Sequence, residues 1–254
     1  MNSAHGSSPA SPTPSRRTIL KAGATTAAFV GTSTLAGRFT ASAQEAAGNA
    51  AGDGGHNVFQ HGVASGDPLP NSVLLWTRAT SHPDDVPGAE AGTAVKLRCE
   101  VATDDSFGTI VLSGEAVAEP AQDNTVKLDA TGLQPDTWYS YRFTVAEGDY
   151  AGQVSPIGRT RTAPDVNATP EKLGIALTSC ANWEAGYFSA YRDMADNPDV
   201  DIIMCVGDYI YEYERGGYTG KTGAIRDHEP PHEIVSLSDY RRRYGHYRTD
   251  KDLQ

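Results

Sequence analysis

Residues 58–163 read as all-β, with apolar and polar positions alternating with a period of two over 94–103 and again after the turn at 132–136. That is the mark of strands that bury one face and expose the other. Ser72–Arg78 (SVLLWTR) reads as one strand, and Ala94–Thr103 as a second. Val126-Lys127-Leu128 precedes a turn rich in Gly, Pro and Asp at 132–136, and the alternation then resumes through Phe143. After residue 171 the pattern changes. Leu173–Ser179 and Asp201–Val206 are short apolar runs without alternation, as expected of strands covered on both faces. Between them, Tyr187, Phe188, Tyr191, Met194 and Ala195 fall on one face of a helix predicted over 184–196. Strand, helix, strand over so short a span predicts a βαβ unit with parallel strands.

The run Leu133-x-Pro135-x-Thr137-x-Tyr139-x-Tyr141 has the form of a tyrosine corner, so the first region is expected to be a fibronectin- or immunoglobulin-like β-sandwich. Residues 44–57 and 164–171, small and polar, read as linkers on either side of a 58–163 domain. Residues 172–254 read as the first part of an α/β domain. Residues 214–235 form a long polar loop, expected to be a mobile rim. Ser236 and Asp239 form a capping box that opens a further helix. On that helix Tyr240, Tyr244 and Tyr247 read as the buried face, and Arg241, Arg242 and Arg243 as a solvated one.

The first 43 residues carry Arg16, Arg17, Lys21 and Arg38 and no acidic residue. Ser15-Arg16-Arg17-Thr18-Ile19-Leu20-Lys21, a mildly apolar stretch, and Ala41-Ser42-Ala43 occur in the order of a twin-arginine signal with cleavage after Ala43. The expected route is the twin-arginine translocase and the expected location is periplasmic or extracellular. No uninterrupted apolar run of about 18 residues occurs, so no permanent membrane span is expected. The whole chain carries a net charge of −11, and the remainder is more acidic still without its basic leader. Such a surface repels nucleic-acid backbones, which argues against a nucleic-acid groove. An anionic substrate would need local cations, and a metal supplies them.

Candidate chemistry gathers at the ends of the two parallel strands, where α/β sheets bind ligands. Cys180 ends the first strand, and Gly207-Asp208-Tyr209-Ile210-Tyr211 follows the second. Gly207 has no side chain to obstruct a close approach to Asp208. Thiolate, carboxylate and phenolate together carry three negative charges, and a trivalent cation balances them. Each residue also has a structural alternative: a buried cysteine, a turn aspartate, a packing tyrosine. Cys99 and Cys205 sit within apolar strands and read as small buried hydrophobes. His61 reads as structural. Gly216–Thr222 lacks the glycine spacing and preceding strand of a phosphate loop. Pro230 and Pro231 deny His228 and His232 the helical geometry of a zinc pair.

Ala64-Ser65-Gly66-Asp67-Pro68, Trp76-Thr77-Arg78, Leu177-Thr178-Ser179-Cys180, Val206-Gly207-Asp208-Tyr209-Ile210-Tyr211-Glu212 and Asp239–Tyr244 with Asp252-Leu253-Gln254 resemble the motifs of the alkaline phosphatase D family. The resemblance runs from about Phe59 to the end. It implies a metallophosphoesterase that hydrolyses phosphodiesters and phosphomonoesters with metal-activated hydroxide. It implies ferric iron held by Cys180, Asp208 and Tyr211, with Asp208 also touching calcium. The family continues with a Trp-Asp-Asp-His-Glu segment and further Asn, His and Asp ligands that this sequence lacks. The expectation is therefore a truncated α/β domain and an incomplete site, inactive by itself. The alternative is a secreted, non-catalytic binding or structural module built on the β-sandwich.

Overall fold

The computed structural model describes residues 39–40 and 56–254. Arg16, Arg17, the cleavage site after Ala43 and most of the 44–57 linker lie outside the described residues. The strands are β1 (Phe39–Thr40), β2 (Val63–Leu69), β3 (Ser72–Arg78), β4 (Val95–Ala102), β5 (Ile110–Ala118), β6 (Thr125–Thr131), β7 (Trp138–Val145), β8 (Gly158–Arg161), β9 (Ile175–Thr178) and β10 (Ile202–Cys205). The helices are α1 (Ser189–Asp196) and α2 (Leu237–Tyr247).

Strands β2 to β8 build the β-sandwich. One sheet has the order β1-β5-β4-β7-β8 and the other β2-β3-β6. Pairing is antiparallel throughout both sheets. The alternation does what it predicts. Val95, Leu97, Cys99 and Val101 of β4, Val126, Leu128 and Ala130 of β6, and Tyr139, Tyr141, Phe143 and Val145 of β7 all point into one core. Each large apolar side chain buried there contributes about 1.5–3 kcal/mol. The tyrosine corner closes as expected: the Tyr139 hydroxyl accepts the Gln134 N–H at 2.9 Å. Gly158 lies so close to Tyr141 that a Cβ would sit 2.2 Å from its Cζ, which accounts for glycine at the start of β8.

Strands β9 and β10 pair in parallel, with Ile175 opposite Ile202 and Thr178 opposite Cys205, so the βαβ unit forms. Three expectations need correction here. The helix starts at Ser189 rather than 184, because the Asn182 side chain accepts the N–H groups of Glu184 (2.9 Å) and Ala185 (3.2 Å) and folds that segment into a turn. The two strands are not covered on both faces: Leu177 of β9 is 66% exposed, and Val206, just past β10, is 65% exposed. Cys205 is likewise exposed, whereas Cys99 is buried as expected.

Helix α2 begins at the capping box. Ser236 Oγ accepts the Asp239 N–H at 3.2 Å, and Asp239 Oδ2 accepts the Ser236 N–H at 3.0 Å. Of its three tyrosines only Tyr247 is buried. Tyr244 and Tyr240 stay partly exposed, the first edge-on to Trp76 and the second donating to Glu212 at 3.2 Å. The arginine run divides in the opposite sense. Arg241 and Arg242 reach surface carboxylates, but Arg243 is fully buried, which corrects the expectation of a solvated face.

The helix is seated on the sandwich by polar bonds. Ser238 Oγ donates to the Gly88 carbonyl at 2.7 Å. Arg248, just past the helix, donates to the carbonyls of His61 (3.2 Å), Val63 (3.0 Å) and Leu253 (2.6 Å). Gly245 faces Pro87 directly, and a Cβ there would lie 2.3 Å from Pro87 Cγ. On its other side the helix meets an aromatic cluster of Trp183, Phe188 and Tyr247, and the Tyr247 hydroxyl accepts the Trp183 N–H at 3.1 Å.

Candidate metal centre

The carboxyl ends of β9 and β10 are held together by backbone bonds that continue past the strands. Val206 N–H donates to Thr178 O at 2.9 Å, Cys180 N–H to Gly207 O at 3.3 Å, and Ala181 N–H to Asp208 O at 2.9 Å. Within this clasp Cys180 has a φ of 59° and Asp208 a φ of 53°. Left-handed backbone at a residue other than glycine costs on the order of 1–2 kcal/mol. Two such residues face each other across neighbouring strand ends, where strain of this kind concentrates at functional sites. Gly207, between them in space, has a φ of 143°. A Cβ at Gly207 would meet nothing within 4 Å. Glycine is thus favoured there by its backbone angle.

The turn aims three donors at one point. Cys180 Sγ points at Asp208 Oδ2 from 3.7 Å, and the Tyr211 hydroxyl donates to the same oxygen at 3.1 Å. The structure therefore brings Cys180, Asp208 and Tyr211 together. Among the described residues no three His, Cys, Asp or Glu side chains gather in this way, so the convergent set is a mixed one of thiol, carboxylate and phenol. Desolvation raises the Tyr211 pKa, and hydrogen bonds to Cys180 and Asp208 raise it further. In their ionised forms the three groups repel one another, and a multivalent cation removes that repulsion. By donor type, the set fits ferric iron better than a hard alkaline-earth ion. Asp208 alone has a second oxygen with which to reach another metal.

Several neighbours carry no signal of their own in the sequence. The rings of Tyr213 and Tyr218 lie 6.3 and 5.2 Å from that of Tyr211 and 5.2 Å from each other. Asn182 Nδ2 donates to the Tyr218 carbonyl at 2.8 Å. The buried Glu184 carboxylate accepts the Gly216 N–H with both oxygens at 3.1 Å, which pins the start of the 214–235 loop. His228 Nε2 stands 3.7 Å from the same carboxylate. The one clue in the sequence is position, since Asn182 and Glu184 follow Cys180 closely. The histidines set aside as zinc ligands are otherwise engaged: His228 Nδ1 lies 3.1 Å from Pro230 O, and His232 Nε2 lies 3.1 Å from Asp239 Oδ1.

A β-sandwich leading into a βαβ unit, with a mixed anionic donor cluster at the strand ends, defines a two-part protein. Family models agree with this division. The PhoD-like phosphatase N-terminal domain matches residues 42–164, and the PhoD-like phosphatase domain matches residues 175–254. The chain belongs to the PhoD-like phosphatase family. It is 40% identical over 206 residues to alkaline phosphatase D of Bacillus subtilis (strain 168), a match covering 81% of this chain and 34% of that relative. It is also similar to a solved structure of PhoD, with a TM-score of 0.72 and 40% identity over 79% of this chain and 37% of that one. The chain thus spans roughly a third of the length of the relatives it matches.

Proposed function

We propose that this chain contributes to an exported, metal-dependent phosphoesterase acting on phosphodiesters or phosphomonoesters. Cys180, Asp208 and Tyr211 would hold ferric iron, and Asp208, with its second oxygen, would also serve calcium. The observation that carries the reading is the convergence of thiol and phenol on a single carboxylate oxygen, 3.7 and 3.1 Å away. Relatedness to an alkaline phosphatase supports a phosphate-ester substrate. When bound, such metals polarise phosphoryl oxygens and acidify water. The chain's own residues supply the rest. Cys180 and Tyr211 give charge-matched donors on one side of Asp208, and the strained turn holds them in place before any ligand arrives. Arg16 and Arg17 address the protein to the twin-arginine translocase, which carries folded, metal-loaded proteins to the periplasm or the outside.

The test is a titration of the purified protein with ferric iron, followed by visible absorbance. A phenolate or thiolate bound to ferric iron is coloured, so a charge-transfer band should appear with iron. Tyr211→Phe should remove the phenolate part of it, and Asp208→Asn should weaken iron retention. A protein that stays colourless at every iron concentration would overturn the assignment and favour a non-catalytic binding module.

A further inference from the structure

We propose that Arg243 is a positioning residue that holds the Tyr211 donor in register with Asp208. The inference rests on the reading of Cys180, Asp208 and Tyr211 as metal ligands.

Arg243 projects from α2 with its side chain completely out of water. Among the described residues every partner it finds is a backbone carbonyl. Nη1 donates to Tyr211 O. Nη2 donates to Pro230 O at 2.9 Å and Tyr213 O at 3.2 Å, and Nε donates to Glu229 O at 2.9 Å. Glu229 turns its own carboxylate away, to Arg215 and Arg242. A guanidinium stripped of water with no ion partner is costly. It is tolerated here because inward-facing carbonyls solvate it.

Those carbonyls belong to two irregular segments, 211–213 and 229–232, which belong to no helix or sheet. Two backbone bonds cross-link them, Ile234 N–H to Glu212 O and Arg215 N–H to Pro231 O, both at 2.9 Å. The remaining carbonyls point inward and need donors. Arginine offers five N–H donors in a planar fork, enough to satisfy both segments from one side chain, whereas lysine offers three from a single atom. One of the bonded carbonyls is that of Tyr211 itself. The residue that supplies the phenol is therefore fixed at its backbone by Arg243 and at its side chain by Asp208. The frame behind Arg243 is rigid as well, since α2 is tied to the sandwich through Gly245, Ser238 and Arg248. A continuous chain of contacts runs from the sandwich through Arg243 to the donor cluster.

The experiment compares Arg243→Lys and Arg243→Met with the parent. Arg142→Lys serves as control, a change at a largely buried arginine of the sandwich whose ion partner is Glu100 of the neighbouring strand. Each protein is loaded with ferric iron, and two quantities are read: the intensity and position of the visible band per bound iron, and iron retained against a chelator. Losing a group that orients a metal ligand typically weakens metal binding roughly 10- to 100-fold. That loss is expected for Arg243→Lys, with a weakened or shifted phenolate band, while Arg142→Lys keeps the parent band and retention. A soluble Arg243→Lys with unchanged band and retention would overturn the proposal. So would failure of both Arg243 variants to fold under conditions where Arg142→Lys folds, because the residue would then serve the fold alone. A parent protein without any band would sink the metal reading itself, and that result is visible before any arginine is changed.

Discussion

Gly245 lies inside α2, where glycine is a poor choice by propensity, and the structure gives the reason. A Cβ at this position would lie 2.3 Å from Pro87 Cγ and 2.7 Å from Pro87 Cβ. Carbon atoms in good contact stand about 3.5–4.0 Å apart, so an added methyl must push Pro87 back by more than about 1 Å. The Pro87 segment has little room to yield, because the Gly88 N–H is bound to Asp123 at 2.7 Å and the Gly88 carbonyl to Ser238 at 2.7 Å. Overpacking of this kind costs about 1–3 kcal/mol. Replacing a mid-helix glycine with alanine returns about 1 kcal/mol of helix propensity. With the clash at the upper part of its range, Gly245→Ala should destabilise the protein by about 1–2 kcal/mol net. The sign reverses if Pro87 is cut back. In a Pro87→Gly background the obstructing carbons are gone, and the same alanine should stabilise by about 1 kcal/mol. Urea unfolding of the four proteins, followed by tryptophan fluorescence, gives the coupling directly as a double-mutant cycle. Trp76 and Trp183 both contact residues of α2, so the signal reports the helix that is perturbed. Stabilisation by Gly245→Ala in the parent background, or the same effect in both backgrounds, would refute the reasoning.

Tyr139→Phe removes the acceptor for the Gln134 N–H and should cost about 1 kcal/mol of stability in urea unfolding; no loss would mean that the corner hydrogen bond is idle. Burial, reinforced by Arg78 and Arg248, lowers the pKa of His61 to about 3, and burial lowers that of His246 to about 4. Both folded values lie below the unfolded one, so the unfolded chain takes up protons first as pH falls through 6.5, and stability drops by up to about 1.4 kcal/mol per pH unit for each group. Urea midpoints at pH 7 and pH 5 should show the loss, and His246→Gln should make the slope shallower; an unaltered slope would exclude His246 as a contributor. Replacing Arg16 and Arg17 together by Lys keeps charge but loses the guanidinium geometry that the export receptor reads, and should stop translocation; the double variant exported at the parent's rate would exclude a twin-arginine route.

What was legible in the sequence was whatever repeats at short range. Ser72–Arg78 forms a strand with the expected bounds because each alternate residue votes for the same buried face. The Ser236/Asp239 capping box and the tyrosine corner span only a few residues, and both form. The meeting of Cys180 with Asp208 followed from one topological inference, that consecutive parallel strands lie side by side. What failed depended on segments without period. Arg243 stands among three arginines on a helix that looks solvent-facing, and only the irregular loops folded over it make it a buried residue. The helix start was misplaced because the Asn182 side chain competes for backbone N–H groups, a local choice that an apolar stripe conceals. Tyr213 and Tyr218 gave no warning because their packing against Tyr211 is set by the path of a loop.

The contact between the sandwich and α2 bears on why the α/β half should carry an all-β domain in front. The bonds there are mostly guanidinium or hydroxyl to carbonyl: Arg248 to His61 and Val63, Ser238 to Gly88, with Gln254 donating to Gln60 O at 2.9 Å. An apolar interface tolerates sliding, because burial is non-directional. Hydrogen bonds to fixed carbonyls do not, since they weaken steeply as the angle departs from linear. The sandwich therefore sets the orientation of α2 as well as adding to its stability. Arg243 then passes that orientation to the backbone of Tyr211. On this argument the β-domain has no need of chemistry of its own: its carbonyls fix a helix, and the helix fixes a donor.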